Sequence, residues 1–193
     1  MDNSIIGVTQ DCGGFIVANQ TKSRSEYEQL RRAAKEGALV RIRKGIYATP
    51  ASLATTIIDV ESIIPHGVLC LYSAFAHYGL STQVPAATCV AIDAKRKVSL
   101  PEYPPIDLYY WKKENLALGV IRREISTYSV LITDLERTVC DAVKYRNKIG
   151  LDVCGEVLDS YLKKESRNIS LLHKYARQLR VENILTKYLE TRL

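Results

Sequence analysis

The sequence predicts an α+β protein: an N-terminal winged helix-turn-helix followed by a mixed α/β C-terminal domain with a small sheet and several helices. Three observations carry this expectation. Residues 22–48, KSRSEYEQLRRAAKEGALVRIRKGIYA, read as one basic helix running into a two-stranded basic hairpin. Apolar, β-rich runs separated by Pro and Gly turns recur between residues 88 and 132. Helical periodicity then returns from Thr133 almost to the C-terminus. A lone winged helix needs roughly 60 to 80 residues, so most of a 193-residue chain is left to build a second core. Thr49-Pro50-Ala51-Ser52 reads as the hinge, because Pro50 has no amide to extend a strand. The expected division is therefore 1–51 and 52–193.

Composition narrows the class. With 47% hydrophobic and 25% charged residues the chain reads as globular rather than disordered. No apolar run has the length of a membrane span, and the start MDNSIIGVTQDCGG lacks a basic segment followed by an apolar one. The expectation is a cytoplasmic protein without membrane contact. The five cysteines (Cys12, Cys70, Cys89, Cys140, Cys154) contain no C-x-x-C pair, which argues against a disulfide framework or a zinc ribbon. His66, His77 and His173 are equally scattered, so no metal or other cofactor is expected.

The elements follow in order. Residues 1–21 are expected to hold a first helix or turn and a short apolar stretch, 14–18, packed beneath the next helix. Ser23 and Ser25 each precede a glutamate by three residues, the spacing of a capping box, so a helix starts there. At about 100° per residue, Tyr27, Leu30 and Ala34 form an apolar side. Arg24, Glu28, Arg31 and Lys35 line another, with Arg32 at its edge. Gly37 supplies the left-handed residue that ends it. Val40 and Ile42 then alternate with Arg41 and Arg43, Lys44-Gly45 turns the chain, and Ile46-Tyr47-Ala48 returns. Alternation predicts that both arginines share one face of this hairpin.

Charge gives that segment its meaning. Between Lys22 and Lys44 stand eight Lys/Arg against three Glu, a local excess of five in a chain whose net charge is +6. Such concentration is the footprint of a surface that meets a phosphate backbone. The expected DNA-contacting residues are Lys22, Ser23, Arg24, Ser25, Glu28, Arg31, Arg32, Lys35, Arg41, Arg43 and Lys44. Arg24 has the fork that pairs with guanine O6 and N7, and Ser23, Ser25 and Glu28 are placed to reach base edges. The hairpin cations suit phosphates or a narrow minor groove. A charged outer face is by itself commonplace on helices; the basic hairpin directly after the Gly stop is what favours DNA.

Beyond the hinge, apolar positions from Leu53 to Ile64 recur helically and stop at Pro65, and a second apolar helix is expected over Val68 to Tyr78, ended by Gly79. Strands are expected at 88–93, 106–111, 118–123 and 127–132. Thr133-Asp134-Leu135-Glu136 reads as a capping box opening a helix to about Lys148. Further helices are expected at 151–164, 169–180 and 182–191.

Three blocks in this order, LRRAAKEGALVRIRKGIYATP at 30–50, LYSAFAHYGLSTQVP at 71–85 and VLITDLERTVCDAV at 130–143, resemble the antitoxin of the AbiE abortive-infection system (AbiEi), a bacterial family of transcriptional regulators. The resemblance implies a winged helix that binds inverted repeats at its own operon. It also implies a C-terminal domain that neutralises a cognate nucleotidyltransferase toxin without a stable complex, in the manner called type IV toxin–antitoxin. Binding to inverted repeats would involve two copies, with a homodimer formed on DNA as one route. Ser73, His77, Tyr78, Asp134, Glu136, Arg137 and Asp141 within these blocks have ordinary structural readings, as core polar groups, helix-start acids and an i, i+4 pair. No catalytic role is expected of them.

The competing enzymatic reading is a metal-dependent nuclease, since Val90-Ala91-Ile92-Asp93-Ala94-Lys95 ends an apolar strand in D-x-K. That chemistry needs a second carboxylate to hold the metal. No Asp or Glu occurs from Ser62 through Ile92, leaving only Asp59 or Glu61. The expectation is a turn, not an active site. The sequence is also compatible with a stand-alone repressor that has no toxin, and with a pure protein-interaction module.

Overall fold

The computed structural model describes residues 15–17, 24–43, 46–48, 60–83, 86–100, 104–125 and 128–190. The chain is mixed α+β and divides into two compact units. One comprises Met1–Pro65, Lys97–Ile106 and Glu124–Tyr128, the other His66–Arg96, Asp107–Arg123 and Ser129–Leu193.

In the first unit, strand β1 (Phe15–Val17) is followed by helix α1 (Arg24–Lys35) and strands β2 (Val40–Arg43) and β3 (Ile46–Ala48). The three strands form an antiparallel sheet in the order β1-β3-β2. Leu30, Leu39 and Tyr47 are buried together, with Ala33 and Ala34 packed against them. This small cluster joins α1 to the hairpin. A short helix α2 (Val60–Ile63) has Val60 and Ile63 buried. The helical expectation for residues 53–59, and the hinge at 49–52, lie outside the described residues.

The second unit is built on a five-stranded sheet in the order β6-β5-β4-β8-β7, from β4 (Val68–Leu69), β5 (Thr88–Asp93), β6 (Ile106–Trp111), β7 (Val120–Ile125) and β8 (Tyr128–Thr133). Strand β4 runs antiparallel to β5 and parallel to β8. Between these strands lie α3 (Leu71–Tyr78) and α4 (Lys113–Ala117). After β8 come α5 (Leu135–Lys144), α6 (Arg146–Ile149), α7 (Leu151–Leu162), α8 (Ile169–Gln178) and α9 (Glu182–Glu190). Helix α5 is the hub: every residue from Leu135 to Val143 is buried, and α3, α7, α8 and α9 all pack on it.

Several local expectations are corrected. Val68 and Leu69 are strand rather than the start of a helix, because an unbroken apolar run suits a strand covered on both sides as well as a helix. Cys70, in extended conformation, is the N-cap at which α3 begins, and Gly79 ends that helix with φ 59° as predicted. The short α4 helix adds an element to those expected. The cap of α5 is Asp134, whose carboxylate accepts from the Arg137 amide at 2.8 Å, not Thr133. Thr133 ends β8 instead, its hydroxyl 2.8 Å from that of Thr138. The helix expected to reach Lys148 breaks at Tyr145 into α5 and α6. No helix among the described residues is long and apolar enough to cross a membrane.

Candidate nucleic-acid interface

The Arg24–Lys35 segment forms a helix because ten of its twelve residues are strong helix formers, the exceptions being Ser25 and Tyr27. Glu26 in the first turn and Arg32 and Lys35 in the last complement the helix dipole. At its end the Ala38 amide donates to the Ala33 carbonyl at 3.0 Å and the Gly37 amide to Ala34 at 3.4 Å, with Gly37 at φ 77°. This is the Schellman pattern, and it needs a residue at ease with positive φ. The chain then drops Leu39 onto Leu30 and enters the hairpin.

The outer face carries the expected cations. Arg24, Ser25, Glu28, Arg31, Arg32 and Lys35 are all exposed, and Arg24, Glu28, Arg31 and Lys35 fall within roughly a 60° arc at the helical rotation of 100° per residue. Arg31 Nη1 lies 3.7 Å from Glu28 Oε1, with side chains 61% and 59% exposed. A pair so solvated contributes at most about 1 kcal/mol. Glu28, Arg31, Arg32, Lys35 and Glu36 line one shallow depression on this face. Tyr27, expected on the apolar side, is instead 37% exposed. The true apolar arc is narrow, a single leucine flanked by two alanines.

Across the hairpin Arg41 is exposed and pairs with Tyr47, which is buried. A bulge between Arg41 and Arg43 shifts the register, so that Arg43 pairs with Ile46. The bulge interrupts the regular pairing of β2 with β3, and the side chain of Arg43 lies outside the described residues. Lys22, Ser23 and Lys44 lie outside the described residues.

The polar residues of the two C-terminal blocks have structural partners. Ser73 Oγ accepts from the Cys89 amide at 2.9 Å, and Tyr78 donates its hydroxyl to the Thr133 carbonyl at 2.9 Å. His77, expected as a core polar group, is instead exposed, edge-on to Tyr78 near the end of α3. Arg137, 1% exposed, donates through Nε to both Asp141 oxygens at 3.0 Å and through Nη1 to the carbonyls of Asn115 and Leu118 at 2.7 Å. Its guanidinium also stacks 4.5 Å above the Trp111 ring. Burial pushes the Asp141 carboxyl up to about 6, against the pull of Arg137. Glu136, also buried, accepts from the Asn168 amide at 2.8 Å and the Tyr161 hydroxyl at 3.3 Å. Trp111 and Tyr145, joined by a 2.8 Å bond from Nε1 to the hydroxyl, extend this network and carry no signal in the sequence that ties them to Arg137.

Asp93 accepts the Lys95 amide at 2.8 Å through its own carboxylate, and its carbonyl accepts from Arg96 at 2.9 Å. The D-x-K pair is thus folded into a turn. Among the described residues no group of three His, Cys, Asp or Glu side chains is arranged to hold a metal ion. The four described cysteines are buried, and burial raises the thiols of Cys70, Cys89 and Cys140. That environment disfavours the reactive thiolate.

No protein-family model matches the chain, and no curated protein matches it.

Proposed function

We propose that this protein is a sequence-specific, DNA-binding transcriptional regulator whose first unit is a winged helix-turn-helix, with α1 as the recognition helix and β2–β3 as the wing. The observation that carries the reading is the exposed cationic face of α1 set directly before an antiparallel hairpin that packs on it through Leu30, Leu39 and Tyr47. The strand order β1-β3-β2, with α1 between β1 and β2, supports a wing formed by β2 and β3. An exposed helix face of this width fits the major groove, where side chains reach base edges while flanking cations meet phosphates. The protein acts by binding and not by catalysis.

The resemblance of residues 30–50, 71–85 and 130–143 to AbiEi carries the reading one step further. It supports an autorepressing antitoxin of a type IV toxin–antitoxin operon, acting on inverted repeats and opposing a nucleotidyltransferase without a stable complex between the two. A neighbouring nucleotidyltransferase gene whose toxicity the chain relieves supports that step; its absence leaves a stand-alone repressor.

The direct test is retention of labelled random-sequence duplexes by the full chain, beside the double variant Arg31→Glu with Lys35→Glu. Wild type should retain duplex at low salt and the variant should lose it while melting at the same temperature. Equal retention by both would overturn the assignment of this face.

A further inference from the structure

One residue on the cationic face is out of keeping with a surface built only for phosphate. Glu28 lies in the arc with Arg24, Arg31 and Lys35 and shares a depression with Arg31, Arg32 and Lys35. The helix starts at Arg24, so Glu28 lies past its first turn, where the acid Glu26 complements the dipole. Its side chain is 59% exposed, and its partner is the equally exposed Arg31, 3.7 Å away. Such a pair adds little to folding. On approach to a phosphate backbone a carboxylate is repelled, so its presence weakens unspecific binding.

Resting on the DNA-binding reading above, we propose that Glu28 is the specificity-determining residue of this face, selecting a cytosine by accepting from its exocyclic N4 amino group in the major groove. An ionised carboxylate only accepts hydrogen bonds. The base edges of the major groove offer it two donors, cytosine N4 and adenine N6. Adenine N6 stands between two acceptors, its own N7 and the thymine O4, both of which repel the carboxylate. Cytosine N4 has an acceptor on one side only, the paired guanine O6, and the carbon edge of its own ring on the other. Every other base edge presents Glu28 with acceptors or a methyl group, and there the unmatched charge penalises binding. Arg31, three residues on and 3.7 Å from the carboxylate, offsets part of its repulsion by the phosphates.

The experiment is selection from a random-sequence duplex pool by the full-length wild type, Glu28→Gln and Glu28→Ala, with sequencing of the retained DNA. Wild type should enrich a C·G pair at one position of its site. Glu28→Ala should lose roughly tenfold discrimination at that position alone, and should hold the unselected pool more tightly than wild type. Glu28→Gln presents a donor beside its acceptor, the pattern that matches adenine N6 and N7, and should move the preference to A·T. Thermal melts of all three should coincide, since the site is exposed. If wild type and Glu28→Ala enrich the same sequence, or wild type binds without preference, the role of Glu28 is overturned while the DNA reading stands. A wild type that retains no duplex removes the DNA reading and this inference together.

Discussion

Arg137 and Arg31 carry the same charge to opposite ends. Arg137 is enclosed by Asp141, two backbone carbonyls and the Trp111 ring, so it has no route to a phosphate. Removing it strands the Asp141 carboxylate, which is wholly buried. Arg137→Ala should therefore cost about 3–5 kcal/mol, read as a lowered midpoint in urea unfolding, whereas Arg31→Ala should stay within about 0.5 kcal/mol of wild type. Equal losses would mean that the exposed stripe is structural. Gly119 obeys a different constraint, having φ 59° and a missing Cβ that would fall 2.7 Å from the Arg137 Cβ and 3.0 Å from the Tyr175 ring. Gly119→Ala should destabilise by about 1–3 kcal/mol; an unchanged melting temperature would contradict this packing.

Glu156 gives a pH dependence. Its carboxylate accepts from the Thr82 amide at 2.7 Å and from the hydroxyls of Ser81 and Thr82 at 2.7 and 2.8 Å. These bonds, the Thr82 amide foremost, hold its carboxyl below the ordinary glutamate value. A depressed carboxylate stabilises the fold above its unfolded pKa, and that contribution is lost as pH falls through the folded one. The melting-temperature gap between wild type and Glu156→Gln should therefore be present near neutrality and close as the solution is acidified below about pH 4. A gap that is constant with pH would exclude the carboxylate as its source.

Among the elements, α1 owes its place to very little apolar surface. Leu30 is its one buried residue, so Leu30→Ala should cost about 2–5 kcal/mol and remove duplex binding along with the helix, a loss that circular dichroism separates from the charge variants. This helix, its Gly37 stop and the paired strands β2 and β3 were legible in the sequence because each has a local cause: amphipathic spacing, a left-handed residue, and two short apolar-containing runs close together in the chain. Strands β5, β6 and β8 and helices α7, α8 and α9 were legible for the same reason. The β2 bulge was not, since a register shift is a property of the pairing with β3 and leaves no local pattern within Val40–Arg43. Val68-Leu69 hides its strand character because a two-residue strand flanked by β5 and β8 has no period of its own. The choice of Asp134 over Thr133 as cap is settled by β8, whose last residue is Thr133. The i, i+4 spacing of Arg137 and Asp141 points to their pairing, but the stacking of Arg137 on Trp111 spans twenty-six positions of sequence, beyond the reach of any local pattern.

For the molecule as a whole, the charge is strongly divided along the chain. The stretch from Lys22 to Lys44 carries an excess of five cations, leaving the other residues near neutrality despite a net charge of +6. A diffuse positive charge would bind polyanions weakly through many sites, whereas the proposed interface rests on this local excess. The most direct measurement is the salt dependence of duplex binding by the full chain, taken between about 50 and 200 mM salt. Wild-type affinity should fall linearly on a double-logarithmic plot, and Arg31→Ala and Lys35→Ala should each reduce the slope by about one with unchanged melting temperatures. A wild type that binds no duplex, or variants with the same slope as wild type, would contradict the proposed interface.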